Sequence, residues 1–250
     1  MEAVLSLQGI SKWFGGLCAL NNINMDVMKG ESVAIIGPNG AGKTTLFNVI
    51  TGELRESSGK VTLFGKDTTG KSVRERVALG VCRTYQSTAV CGMLTVAQNI
   101  LLSLLGLKPS HINMLSNASK IAIHSPRLKE VAESVGLHDK LEIVANNLSY
   151  GEKRQLEISL VIAHMPHLIM FDEPSSGLSS KERTIIVKLL NSFSDDVGML
   201  LIEHDMSVAF STTKRVIVLH EGRIIAEGSP EEVSSNSIVQ EVYLGGKVDE

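Results

Sequence analysis

Apolar residues recur along this chain in two rhythms that alternate from end to end. Val33-Ala34-Ile35-Ile36 is a short continuous apolar run stopping at Gly37, which predicts a buried strand followed by a tight turn. From Lys43 to Thr51 the positions Leu46, Phe47, Val49 and Ile50 fall at helical spacing, and Gly52 supplies a C-terminal stop. Leu168-Ile169-Met170-Phe171 and Met199-Leu200-Leu201-Ile202 read as two more buried strands, closing on Asp172-Glu173 and on Glu203-His204. Ser179 and Glu182 have capping-box spacing ahead of a helix whose Ile185, Ile186, Leu189, Leu190 and Phe193 trace one face and which should link those two strands. Val216 to Leu219 and Ile224 to Glu227 flank His220-Glu221-Gly222-Arg223 as a hairpin. The alternation predicts an α/β fold with helices covering a mostly parallel sheet. Three buried strands that end in polar residues predict one functional edge, because open α/β sheets bind ligands beyond their strand C-termini.

Between about Ser87 and Met165 the strand rhythm vanishes and helical spacing takes over. Ser125 can cap a helix with Pro126 in its first turn, and Leu128, Val131, Ala132 and Val135 form a stripe that Gly136 ends. Ser149 and Glu152 again have capping-box spacing, with Leu156, Leu160 and Ala163 on one face of a helix that should end before Pro166. Gly106 to His124 carries the weakest pattern. The expected organisation is a core of residues 1–87 and 166–250 interrupted by a helical subdomain over 88–165, with no internal repeat.

Composition narrows the function classes. With 250 residues, 43% apolar and 20% charged, the chain has the usage of an ordinary globular protein. A formal charge of −3 supplies no positive field to draw in nucleic acid or an anionic bilayer. Cys18, Cys82 and Cys91 lack metal-ligand spacing and read as reduced packing residues. No apolar run approaches the roughly 20 residues that span a bilayer, and the N-terminus lacks the pattern of a secretory leader, so residence in the cytoplasm is expected.

The chemistry sits at the predicted sheet edge. Gly37-Pro38-Asn39-Gly40-Ala41-Gly42-Lys43-Thr44 fits the phosphate-loop pattern between a strand and a helix. Backbone N–H groups of such a turn converge on an anion, the helix N-terminus adds partial positive charge, Lys43 can span the terminal phosphates, and Thr44, with Thr45 beside it, offers a hydroxyl to Mg²⁺. Asp172-Glu173 supplies an acid for the metal and a base for water; taken alone the pair has a lesser reading as two solvated acids at a strand end. Two adjacent carboxylates near a triphosphate repel unless a divalent cation or proton intervenes.

Six motifs in order make the chain resemble the nucleotide-binding subunit of an ATP-binding cassette (ABC) transporter from about Leu5 to Gly245. They are the phosphate loop, Arg83-Thr84-Tyr85-Gln86 as the glutamine loop, Leu148 to Gln155 as the signature, Leu168 to Glu173 as the second phosphate-site motif, Ser176-Gly177-Leu178-Ser179 as the D-loop, and His204 as the switch histidine. The resemblance implies an α/β, RecA-like P-loop NTPase core with an antiparallel β subdomain and an inserted α-helical subdomain. It implies ATP and Mg²⁺ as ligands, with Gly37, Asn39, Gly40, Ala41, Gly42, Lys43, Thr44 and Thr45 around the phosphates and Thr44, Gln86 and Asp172 around the metal. Glu173, His204, Gln86 and Lys43 take the catalytic roles. Phe14, favoured over Trp13 by its spacing to Gly15-Gly16, would stack on adenine. In that family two copies face head to tail, so Ser149 and Gly151 of one copy close over the triphosphate held by the other.

Tyr150 stands where the family's signature has its first glycine, and Ser179 where its D-loop commonly has aspartate; the second departure leaves direct D-loop help to hydrolysis in doubt. LSYGEKRQLEIS, LLIEHDM, GRIIAEGSPEEV and VYLGG resemble the ATPases of importers for branched-chain amino acids, with urea importers close behind. The implied partners are a second ATPase subunit, integral membrane permease subunits and, indirectly, a solute-binding protein, with no nucleic acid. The implied location is the cytoplasmic face of the membrane. A soluble ATPase acting as a clamp or assembly factor would share every catalytic motif, but the chain has no long heptad insertion and no basic stripe.

Overall fold

A computed structural model describes residues 2–84, 90–106, 125–193 and 196–244. The chain divides into two compact units, one of Met1–Arg83, His167–Glu173 and Phe193–Glu250, the other of Thr84–Pro166 and Pro174–Ser192.

Two sheets build the first unit. An antiparallel sheet, ordered β2-β1-β4-β5, contains β1 (Ala3–Phe14), β2 (Leu17–Met28), β4 (Ser58–Leu63) and β5 (Lys66–Asp67). The second sheet runs β10-β9-β3-β8-β7-β6, with β3 (Ser32–Ile36), β6 (Val81–Arg83), β7 (Leu168–Asp172), β8 (Gly198–Ile202), β9 (Arg215–His220) and β10 (Arg223–Gly228). Strands β6, β7, β8, β3 and β9 are mutually parallel and β10 alone is antiparallel. Strands β7 and β8 are buried along their whole length, as central parallel strands covered on both faces must be. The predicted hairpin is the β9–β10 pair, whose Glu221 and Gly222 both adopt positive φ, as a two-residue turn of the I′ type demands.

Helix α1 (Lys43–Thr51) packs Leu46, Phe47, Val49 and Ile50 into a core shared by both sheets, and Gly52 ends it in the left-handed conformation. Helix α2 (Val73–Ala78) brings Arg76, 1% exposed, under the end of α1. Its guanidinium donates to the carbonyls of Val49, Ile50 and Thr68 at 2.6, 2.7 and 2.8 Å. Helix α7 (Met206–Thr212), α8 (Pro230–Ser235) and α9 (Ser237–Leu244) contribute to a second cluster, in which Ala209, Val233 and Val239 join Ala34, Ile36, Val216 and Val218.

The second unit is helical: α3 (Val96–Gly106), α4 (Pro126–Ser134), α5 (Tyr150–Ala163) and α6 (Ser180–Leu190). Leu128, Val131, Ala132 and Val135 are buried as the stripe predicts. Two expectations are corrected. Ile185 is 46% exposed rather than part of the buried face of α6, which consists of Ile186, Leu189 and Leu190. Phe193 lies beyond that helix, in the first unit, where its ring meets Phe171 at 5.6 Å; a turn of 100° per residue carries position 185 off the stripe, and the helix ends before 193. Cys91 also departs from its reading as a packing residue: it is exposed, whereas Cys82 is buried and Cys18 half-buried.

Candidate active site

The loop between β3 and α1 is built from backbone rather than side chains. Gly37 is buried and held so close to β9 that a Cβ would lie 2.0 Å from the Leu219 carbonyl oxygen. Gly42, with φ of +104°, would place a Cβ 2.6 Å from the Ala19 carbonyl oxygen. Only glycine fits either position. The hairpin turn braces the loop from the other side, since the Gly222 N–H donates to the Ala41 carbonyl at 2.9 Å. Asn39, Gly40 and Thr44 are exposed and Thr45 half-buried, which leaves this side of the loop and the N-terminus of α1 accessible to an anion.

Lys43 is 8% exposed, and its ammonium donates to the Gly37 and Pro38 carbonyls at 2.6 and 3.0 Å. Burial holds its pKa below the ordinary lysine value, against the pull of the Glu173 and Asp172 carboxylates. The lysine thus folds back onto the loop it would leave to reach a phosphate.

At the end of β7, Asp172 is 2% exposed and paired with Arg83 from β6 at 2.6 Å. Arg83 also donates to Asn48 of α1 at 2.5 Å, and its guanidinium sits 5.4 Å from the centre of the Phe47 ring. Residues of α1, β6 and β7 therefore fix one carboxylate. Sequence reading quoted Arg83 but missed this role; an arginine closing a short strand beside an acid-ended one was the available signal. Glu173 takes a left-handed φ of +50°, a conformation that costs a non-glycine residue about 1 kcal/mol, while its N–H donates to the Ile202 carbonyl at 2.9 Å. That turn aims its carboxylate at His204, whose Nδ1 lies 3.5 Å from Glu173 Oε2. The edge predicted from three strand ends thus gathers Gly37, Lys43, Asp172, Glu173 and His204. Tyr243 of α9 was also missed; burial pushes its hydroxyl up to about 12, and it lies against the Gly37 backbone.

Phe14 and Trp13 end β1 at 45% and 50% exposure, so neither ring is spent on the core. The Lys12 ammonium stands 5.1 Å from the Phe14 ring centre. Gln86 falls outside the described residues.

In the second unit Ser149 caps α5, its hydroxyl accepting from the Glu152 N–H at 3.2 Å while Glu152 accepts the Ser149 N–H at 2.8 Å. Tyr150 is 46% exposed beside Arg154, which is ion-paired to Glu157 at 2.7 Å. The Gly151 N–H donates to Glu182 Oε1 of α6 at 3.0 Å. Ser179 caps α6 through its own box with Glu182.

These residues suit a polyphosphate: a glycine loop packed too closely on β2 and β9 to carry side chains at 37 and 42, one cation, a hydroxyl and a fixed carboxylate as hard oxygen donors for a divalent ion, and a second acid beside a histidine. Comparison with known proteins agrees. A family model described as ABC transporter matches residues 20–176, and one described as branched-chain amino acid ATP-binding cassette transporter matches 223–249. The chain is 35% identical to the high-affinity branched-chain amino acid transport ATP-binding protein LivG of Escherichia coli strain K12, over 98% of each chain. It is 34% identical to BraF of Pseudomonas aeruginosa, which bears the same description, over 97% of this chain and 98% of that one. Among solved structures, the ADP conformation of the ATP-binding cassette MJ1267 aligns with a TM-score of 0.83 and 29% identity, covering 98% of this chain and all of that one. A nucleotide-free ATP-binding cassette aligns with a TM-score of 0.81 and 28% identity, covering 96% and 98%.

Proposed function

We infer that this chain, which belongs to the ABC transporter family, is the ATP-hydrolysing subunit of an importer for branched-chain or other hydrophobic amino acids. The observation that carries the solute class is the likeness to LivG and BraF across the full length of both chains, together with the C-terminal match over 223–249. The assembly consists of two ATPase subunits on the cytoplasmic face of the membrane, a pair of permease subunits, and a solute-binding protein that this chain does not touch. Residues 1–87 and 166–250 serve as the nucleotide-binding core, although 174–192 within that span cluster with the helical unit, and 88–165 serve as the helical subdomain that carries the signature.

The loop amides from Gly37 to Thr45 cradle the phosphates of ATP, and Phe14 stacks on its adenine. Lys43 exchanges the Gly37 and Pro38 carbonyls for phosphate oxygens. Thr44, Asp172 and Gln86 would hold Mg²⁺, which supplies charge neutralisation on the phosphates when bound. Arg83 keeps the Asp172 carboxylate oriented. Glu173 accepts the proton of a water whose oxygen attacks the γ-phosphorus in line as the bond to the bridging oxygen breaks, and His204 steadies Glu173 and the γ-phosphate. Ser149 and Gly151 of the second copy complete the site, so ATP closes the dimer and phosphate release opens it.

Glu173→Gln is the test. It should bind ATP, lose turnover by at least about a hundredfold, and accumulate closed dimers on size-exclusion chromatography with light scattering. Hydrolysis at the wild-type rate removes Glu173 from the base role. Uptake of labelled leucine by the reconstituted transporter tests the solute class.

A further inference from the structure

We propose that Glu182 gates the signature amide: in the free subunit its carboxylate occupies the Gly151 N–H, and it must withdraw before a second copy's triphosphate can take that donor. This rests on the reading above that Gly151 meets the partner's ATP.

The contact is tertiary rather than a helix's own cap. Gly151 is the second residue of α5, Glu182 lies in the first turn of α6, and Gly151 N to Glu182 Oε1 is 3.0 Å. The other carboxylate oxygen, Oε2, accepts from the Ser179 N–H at 3.0 Å and the Ser179 hydroxyl at 2.6 Å. One side chain therefore caps its own helix with one oxygen and fills the N-terminus of a neighbouring helix with the other. Glycine at 151 makes the approach possible, since a Cβ there would lie 2.7 Å from Glu182 Cγ. Serine at 179 contributes too, because its hydroxyl can donate to Glu182 where an ionised aspartate could only repel it. Tyr150, which replaces the family's glycine, reaches the same segment: a Cβ on Gly177 would stand 3.2 Å from the Tyr150 ring. Of the two departures of this chain from the family pattern, Ser179 thus bonds this carboxylate directly and Tyr150 touches the segment just before it.

A helix N-terminus with a free amide binds anions, and here the anion is already present. Its hydrogen bonds from Ser179, then from the Gly151 N–H, hold the Glu182 carboxyl below the usual carboxylate range, so it is ionised at neutral pH. A γ-phosphate and a carboxylate carry the same sign and cannot share one N–H. Closure therefore requires exchange of the internal anion for the nucleotide, which raises the ATP concentration needed to close the dimer and keeps free subunits apart.

Glu182→Gln removes the charge while keeping the length and a side chain that completes a capping box. In the free wild-type subunit the Gly151 amide proton shift should follow the titration of the Glu182 carboxyl, and Glu182→Gln should abolish that titration; an amide shift that ignores pH in the wild type overturns the contact. For the gate, the dimer fraction of Glu173→Gln is measured against ATP with and without Glu182→Gln by light scattering. The double variant should need about fivefold less ATP at half-maximal dimer. An unchanged or greater requirement overturns the gate. Glu182→Ala, which also loses the cap of α6, should melt lower yet still need less ATP than its parent; if it needs more, Glu182 supports the dimer instead of restraining it. Failure of Glu173→Gln itself to dimerise with ATP would defeat the reading on which the gate rests, and is seen in the parent arm alone.

Discussion

Lys43 shows how a single residue's surroundings set its chemistry. Its ammonium is buried among loop carbonyls, and burial outweighs the two carboxylates that favour its charged form. A lysine with a lowered pKa loses its proton before pH reaches the ordinary 10.5, and only the charged form attracts phosphate. The midpoint of the fall in ATP affinity with rising pH, read by fluorescence with a labelled nucleotide, should therefore lie below 10.5; a midpoint at or above that value would remove the burial effect. The cysteines give a second check. Burial pushes the Cys82 thiol up to about 11, whereas Cys91 is exposed. Since the thiolate is the reacting form, an aromatic disulfide reagent at neutral pH should modify Cys91 first and Cys82 only once the protein is denatured. Rapid labelling of Cys82 in the native protein, located by peptide mass, would contradict its place in β6.

At the scale of elements, the sequence is most legible where one rhythm runs unbroken. Helix α1 spans the predicted Lys43–Thr51, and β7 and β8 each differ from their predicted strands by one residue. The long strands β1 and β2 were not separately predicted, because their pairing is interrupted by register shifts near Leu7, Ile10 and Lys12 that break the period of two. The sheet edge was legible for the same reason as β7 and β8: Gly37 follows β3, Asp172 and Glu173 close β7, and Glu203 and His204 follow β8. What escaped were residues whose partners are remote in sequence, Arg83 with Asp172 and Glu182 with Gly151, since spacing carries no trace of such contacts. Arg76 belongs to this group. It satisfies two terminal carbonyls of α1, the helix that carries Lys43 and Thr44, and a third from Thr68. Arg76→Met would strand these acceptors and cost about 3 kcal/mol in urea unfolding. Arg76→Lys should recover only part of that, because an ammonium cannot reproduce the fork of a guanidinium.

At the scale of the molecule, ATP hydrolysis does transport work only if closure reaches a membrane subunit. Among the described residues no helix is long and apolar enough to cross a bilayer, so on the proposed reading force must leave through a protein contact. The apolar stretch from Val90 to Leu102 in the helical unit is suited to receive a short permease helix. Within it Met93 is 83% exposed, a large flexible side chain with no share in the core, while Val96, Ala97 and Ile100 are buried and anchor α3. An exposed methionine in the turn that leads into α3 is the kind of adaptable apolar contact that docking surfaces use. Met93→Asp places a charge where an apolar partner would seat and leaves the phosphate loop, the acids and the signature untouched. Amino-acid uptake by the reconstituted transporter should fall by about tenfold or more, while ATPase activity and melting temperature of the isolated subunit stay at wild-type values. Undiminished uptake in Met93→Asp would place the permease contact elsewhere, and a parallel loss of isolated ATPase activity would show that the substitution had damaged the catalyst rather than its coupling.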